Sequence, residues 1–322
     1  MAEAVTFNIE EMMVAGSARD LTNIELLKMA EEGAVFAVVT TDESSKSKLG
    51  ELARRFPERC FDVGIAEPDA VGVGAGLALG GKTTFVMGFG PFLSLRATDQ
   101  IHTDVAYNDV PVRMIGTHSG LTSGGGPTHF AICDMAIMRS IPNITLCAPS
   151  DANQAVRLIR ESMTYPGPMY IRVPRGEETL VYENQDYEYA IGKAVVAREG
   201  KDVAVIACGS CVAYAVTAAN FLEKEGVSVK VIDMHTVKPL DADAVLAAAK
   251  IGAVITAEDH SVIGGLGDAA AAVLAEAGLG IKFKKLGVPD HFASVGYADM
   301  LHAYYGYDVD GITAAIKKML GK

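Results

Sequence analysis

The stretch FDVGIAEPDAVGVGAGLALGG, residues 61 to 81, constrains the chain more than any other. Residues 61 to 66 form a short apolar run that reads as a buried strand or strand end. Pro68 then fits the first turn of a helix, where its missing N–H would find no partner anyway. Along that helix Gly72, Gly76 and Gly80 recur at i, i+4 and i+8, which places them on one stripe and predicts the close approach of another backbone. Each interior glycine costs about 1 kcal/mol against alanine, so packing rather than propensity must hold such a helix. Glu67 stands at its mouth. Taken alone, a glutamate there is more often a first-turn acid facing the positive end of the helix dipole than a catalyst.

The rest of the first half alternates strands and helices. A helical pattern covers residues 20 to 32, with Leu21, Ile24 and Leu27 on one face and Gly33 as its C-cap. Strand-like VFAVVT follows at 35 to 40, then the polar loop TTDESSKSKLG, of a kind that usually carries function. KTTFVMGFG at 82 to 90 reads as a strand opening into Pro91 and Phe92, and the run LRATDQIHTDVAYN as a helix at a subunit contact. PVRMIGT at 111 to 117 runs into THSGLTSGGGPTH. A loop so rich in Gly, Ser and Thr at a strand's carboxyl end is where open α/β sheets bind ligands, although it lacks the GKS/T ending of a P-loop. ITLCAPSD at 144 to 151 supplies Ser150 or Asp151 as a helix cap, and PMYIRVPRG at 168 to 176 is a strand that ends in Arg172 and Arg175.

An acidic irregular run at 177 to 190 separates the halves. The expected division is a domain over 1–180, a linker at 181–190 and a second domain over 191–322. The second half again alternates strands and helices, so the fold class is α/β, with two parallel-sheet domains. At 322 residues, half of them apolar, the chain can bury a large core. A net charge of −12 without a dense Lys/Arg cluster argues against nucleic acid. No apolar run approaches a membrane span, and the beginning lacks a secretory pattern; a cytoplasmic protein is expected. Five cysteines suit a reducing compartment. The CGSC run, Cys208 to Cys211, is weak evidence for a redox pair without its fold.

The GIAE segment resembles the pyrimidine-binding domain of transketolases and their thiamine-diphosphate-dependent relatives. That resemblance implies that Glu67 hydrogen-bonds the cofactor's pyrimidine ring and so triggers the general-base step. It also implies that Phe92 stacks on the same ring, and that Asp42 supports the thiazolium side. A solvated loop acid is the other reading of Asp42. Leu95 and Thr98 stand where other members carry further aromatics. His118 and His129, at the ends of the glycine-rich loop, match two histidines that touch the substrate's hydroxyl, carbonyl or phosphate groups. For the substrate phosphate Arg175 is the better match and Arg172 the second, arginine being suited by its planar fork.

VIDMHTVKPLD and HSVIGGLG resemble the C-terminal domain shared by transketolases, deoxyxylulose phosphate synthases and 2-oxoacid dehydrogenase β subunits. Structural roles are therefore expected for His235, Glu258 and His260. Two departures matter. Where the family carries an acid that bonds the donor's hydroxyl, this chain has Gly124, Gly125 and Gly126, which suggests a branched or otherwise modified ketose phosphate. The GDG motif that binds diphosphate and Mg2+ in whole transketolases is absent. The resemblance therefore implies the C-terminal subunit of a split transketolase, sharing thiamine diphosphate with an N-terminal subunit that holds the Mg2+, as an α2β2 assembly. The alternatives are a 2-oxoacid dehydrogenase β subunit, a deoxyxylulose-phosphate-synthase-like half, or a non-catalytic homologue.

Overall fold

The computed structural model describes residues 17–42, 49–176, 179–182 and 186–322. Most of the polar loop around Asp42, and the first sixteen residues of the expected first domain, lie outside the described residues. The first half runs α1 (Ala18–Glu31), β1 (Phe36–Thr40), α2 (Leu49–Arg55), β2 (Cys60–Asp62), α3 (Glu67–Leu79), β3 (Thr83–Phe89), α4 (Gly90–Arg96), β4 (Val112–Thr117), α5 (Asp134–Ser140), β5 (Thr145–Cys147), α6 (Ala152–Ser162) and β6 (Met169–Arg172). Its strands lie parallel in the order β5-β6-β4-β3-β1-β2. The order reverses between β1 and β3, so the crevice outside their carboxyl ends is where this class of sheet binds ligands.

The second half runs β7 (Val195–Arg198), β8 (Val203–Ala207), α7 (Cys211–Glu223), β9 (Val229–Asp233), β10 (Thr236–Lys238), α8 (Ala242–Ala249), β11 (Ala253–Ser261), α9 (Leu266–Glu276), β12 (Lys282–Val288), α10 (Ala298–Tyr305) and α11 (Val309–Leu320). It builds a sheet ordered β12-β11-β8-β9-β7, parallel except for β7. Two parallel-sheet α/β units are thus present, as expected. The run VIDMHTVK is divided between the sheets, however. β9 stays in the second sheet, while β10 crosses over and pairs antiparallel with β5, Thr236 opposite Cys147. The connecting run between the halves has no helix or strand among its described residues, but its tyrosines pin it. Tyr182 donates to Asp233 at 2.9 Å and stacks on Tyr187 at 4.1 Å, and Tyr189 stacks on His235 at 4.4 Å.

Several local expectations change. Residues 61 to 66 are not buried: β2 is the edge strand, with Phe61 36% and Ile65 72% exposed. The Gly72, Gly76, Gly80 stripe does not face the sheet. The close approach is at Gly74, where a Cβ would stand 2.4 Å from Val86 on β3. α1 buries Leu21, Glu25, Leu26 and Met29 and leaves Ile24 and Leu27 half-exposed, because a spacing of three drifts off a 3.6-residue turn. The run after Phe92 is broken, with α4 ending at Arg96 and a π-helical turn over Ile101–Ala106. Asp151, not Ser150, caps α6, accepting from the Gln154 N–H at 2.8 Å.

Candidate active site

The connections after β1, β2, β3, β4 and β6 converge on one cleft of about 430 Å³, lined among others by Thr41, Asp42, Glu67, Phe92, His118, His129 and Arg175, with Arg19 from α1. Glu67 opens α3 without a side-chain cap before it, so its carboxylate faces the positive end of the helix dipole. It is 2% exposed. Gly88 of β3 lies against Thr41 beside it, where a Cβ would stand 3.0 Å from Thr41 Oγ1. Asp42 follows β1 with φ at +61°, held by its own N–H donating to Asp62 Oδ1 at 3.0 Å.

Phe92, on α4, lies parallel to Phe89 at 6.0 Å and edge-on to His129 at 4.9 Å. Phe89 in turn stacks on His118 at 3.8 Å. His118 sits at φ +56° as the backbone leaves β4, with Nδ1 3.0 Å from Thr117 Oγ1. Burial, reinforced by the charges of Arg19 and Arg175, pushes it down to about 3. The ring is therefore neutral at physiological pH, with Nε2 left as a switchable donor or acceptor. NMR of labelled imidazoles should show no protonation of His118 from pH 8 down to about 5, against an ordinary histidine value of roughly 6.5. A midpoint near 6.5 would contradict this environment.

The glycine-rich loop is propped from the second half of the chain. Leu121 N–H donates to both Asp259 oxygens at 3.1 and 3.2 Å, and a Cβ on Gly120 would strike that carboxylate at 1.8 Å. Further along, a Cβ on Gly125 would meet the His129 ring at 2.5 Å, and one on Gly124 would reach Arg175 at 3.5 Å. The glycines thus make way for the imidazole and lie against the guanidinium.

Arg172 is not brought to the cleft. Its guanidinium is buried, donating to Asp134 Oδ2 at 2.8 Å and to the carbonyls of Ala131 and Asp259 at 2.8 and 2.7 Å. Arg175 lies three residues further on, past the end of β6, and is exposed, whereas Arg172 is the last residue of a strand that is buried along its whole length. Leu95 is 57% exposed and lies outside the cleft lining. His235, Glu258 and His260 are buried. Glu258 accepts the Leu266 and Gly267 N–H groups at 2.7 and 2.8 Å, at the start of α9. Cys208 and Cys211 are free and buried, and burial holds both thiols well above their ordinary range, the opposite of a redox-active pair.

Two arginines escaped sequence reasoning, one lining the cleft and one bonded to its glutamate. Arg19 lies in the first turn of α1, the wrong end of a helix for a cation, and that misplacement was its signal. Arg96 lies four residues after Phe92 on the same helix, so their side chains share a face. Its Nη1 reaches both Glu67 oxygens, at 3.1 and 3.3 Å, and its guanidinium carbon stands 4.0 Å from the Phe92 ring centroid. A planar N–H donor on the glutamate and against the aromatic ring is the arrangement an aminopyrimidine would need, so the residues present fit such a ring.

Residues 9–179 match the family description "Transketolase, pyrimidine binding domain" and residues 192–312 match "Transketolase, C-terminal domain". The chain belongs to the transketolase family. It is 39% identical over 303 residues to a putative transketolase C-terminal section of Methanocaldococcus jannaschii, covering 94% of each. It is 37% identical over 289 residues to one subunit of an apulose-4-phosphate transketolase of Phocaeicola vulgatus, covering 89% of this chain and 92% of that one. A solved structure described as a split gene transketolase, inactive beta4 tetramer, superposes with a TM-score of 0.85 at 36% identity, covering 95% of this chain and 98% of that one. In this transketolase-family chain the two matched regions flank the tyrosine-pinned connection, and the cleft lies in the first of them. No helix among the described residues is long and apolar enough to cross a membrane.

Proposed function

We propose that this chain is the C-terminal subunit of a two-subunit transketolase, moving a two-carbon ketol unit from a ketose phosphate to an aldehyde acceptor. The observation that carries the proposal is the buried Glu67 carboxylate at the mouth of α3, holding a planar N–H donor against Phe92. When bound, thiamine diphosphate supplies the electron sink for the carbon–carbon bond change. Its diphosphate and Mg2+ are assigned to an N-terminal partner subunit, in an α2β2 complex; the near-full-length matches to a C-terminal section and to a single transketolase subunit support that division. The chain divides at residues 181–190, and its five free thiols suit the cytoplasm.

In this reading Glu67 accepts a hydrogen bond from the pyrimidine ring and sets where its proton sits. Phe92 offers its face, and Asp42 stands on the thiazolium side. His118, kept neutral, and His129 bind the substrate's oxygens and orient them. Arg175 and Arg19 grip its phosphate against the protein's overall negative charge. Because Gly124 and Gly125 supply no acid for a linear donor's hydroxyl, the donor is a branched or otherwise modified ketose phosphate. Xylulose 5-phosphate turned over as fast as any such sugar would refute this part.

The test is to purify the chain with a partner polypeptide carrying a GDG motif and a downstream Asn, and to assay ketol transfer. Activity should require both chains and thiamine diphosphate. A purified pair indifferent to thiamine diphosphate would rule the proposal out. Within the active pair, Arg175→Ala should lower kcat/KM for phosphorylated substrates by about 10- to 100-fold, the worth of one charged hydrogen bond. Unphosphorylated analogues should be nearly indifferent to the change.

A further inference from the structure

Among the described residues, Arg96 is the one side chain that hydrogen-bonds the Glu67 carboxylate. We propose that Arg96 is a displaceable latch. It occupies the pyrimidine half-site of the free subunit, and it must swing away for a thiamine-type cofactor to enter. The inference rests on the cofactor reading above and adds to it a device that makes the empty site resist loading.

The two contacts Arg96 makes are the two a planar nitrogen heterocycle would make, an N–H on the carboxylate and a place over the Phe92 ring, 4.0 Å from its centroid. A guanidinium is suited to such mimicry because it is planar, delocalised and stacks on aromatic rings. The latch also answers a need of the free subunit. The Glu67 side chain is 3% exposed, and a carboxylate that far from water is costly unless paired. Arg96 in contrast is 48% exposed, so its head can withdraw into solvent at little cost. As the last residue of α4, it would then lie beside the helix's terminal carbonyls, where a cation is favoured. With the latch shut for most of the time, the apparent cofactor affinity falls by the fraction of molecules that are open. Loading thus comes to depend on the further grip that a partner subunit supplies.

The first measurement needs no cofactor. In the isolated subunit, melting temperatures are compared for Arg96→Ala, Glu67→Gln and the double variant. Arg96→Ala should lower the midpoint by about 2–4 °C, and should do almost nothing once Glu67 is already Gln. Strictly additive shifts would show that no latch forms. The second measurement is calorimetric titration of the assembled pair with thiamine diphosphate. Arg96→Ala should bind it about 3- to 10-fold more tightly, with Arg96→Lys between, since lysine keeps the charge and loses the plane. Equal or weaker binding by Arg96→Ala would overturn the latch alone. A wild-type pair that binds no thiamine diphosphate would overturn the reading beneath it.

Discussion

Glu67→Ala, assembled with its partner, is expected to lose about 10³-fold in kcat, within the range a positioned acid–base group supplies. The loss should fall on kcat more than on KM for the sugar substrates, because Glu67 is assigned to the cofactor, whereas His118, His129, Arg175 and Arg19 are the groups assigned to the substrate. Glu67→Gln separates charge from shape. It keeps the side-chain volume and a hydrogen-bonding oxygen but cannot carry the negative charge that stabilises the cofactor's protonated form. It should therefore resemble Glu67→Ala in turnover. Steady-state kinetics at saturating thiamine diphosphate would decide. Activity within tenfold of wild type for either variant would remove this subunit from the chemistry and favour a scaffolding role.

The second large effect concerns stability. Arg172→Ala should destabilise the fold by about 3–5 kcal/mol, because it strands the buried Asp134 carboxylate without its cation. Both side chains are almost fully buried. The same guanidinium also ties the Ala131 and Asp259 carbonyls together, joining the glycine-loop end to the second half of the chain. Denaturant unfolding would read the loss as a fall in the midpoint. A double change, Arg172→Met with Asp134→Leu, should recover much of it, since replacing both charges with apolar groups removes the desolvation cost as well as the attraction. If Arg172→Ala instead left stability intact and weakened binding of phosphorylated substrates, the substrate role suggested by its sequence position would be restored.

Arg172 and Arg175 mark where sequence reasoning succeeds and where it stops. Both ended one predicted strand, and residue type could not rank them beyond the family pattern. Position relative to the strand's end decided which would meet water: β6 is buried along its whole length through Arg172, and Arg175 stands in the exposed bend beyond it. Glu67, Phe92, His118 and His129 were legible through the resemblance of the GIAE segment and the glycine-rich loop to the transketolase family; turn chemistry alone pointed to the loop as a ligand site but left Glu67 an ordinary first-turn acid. The two remaining arginines were not. Arg19 and Arg96 come from helices whose orientation depends on packing, and no local spacing says that an arginine will reach back to a glutamate 29 positions earlier. The apolar run at 61 to 66 misled for a related reason: alternating or continuous apolar residues read alike whether a strand lies in the middle of a sheet or at its rim. Gly74, one turn-fraction away from the predicted stripe, packs on β3 because the helix rotates to put Ala70, Val71 and Ala78 into the core.

The crossover of β10 bears on how the polypeptide matures during synthesis. β5 gains its outer neighbour only when residues 236–238 have been made. Until then the nascent first half presents bare backbone amides and carbonyls along that flank, a template for pairing with other emerging chains. A gene truncated between the halves would leave that flank permanently open, and its product should need a chaperone or a strand supplied in trans to remain dispersed.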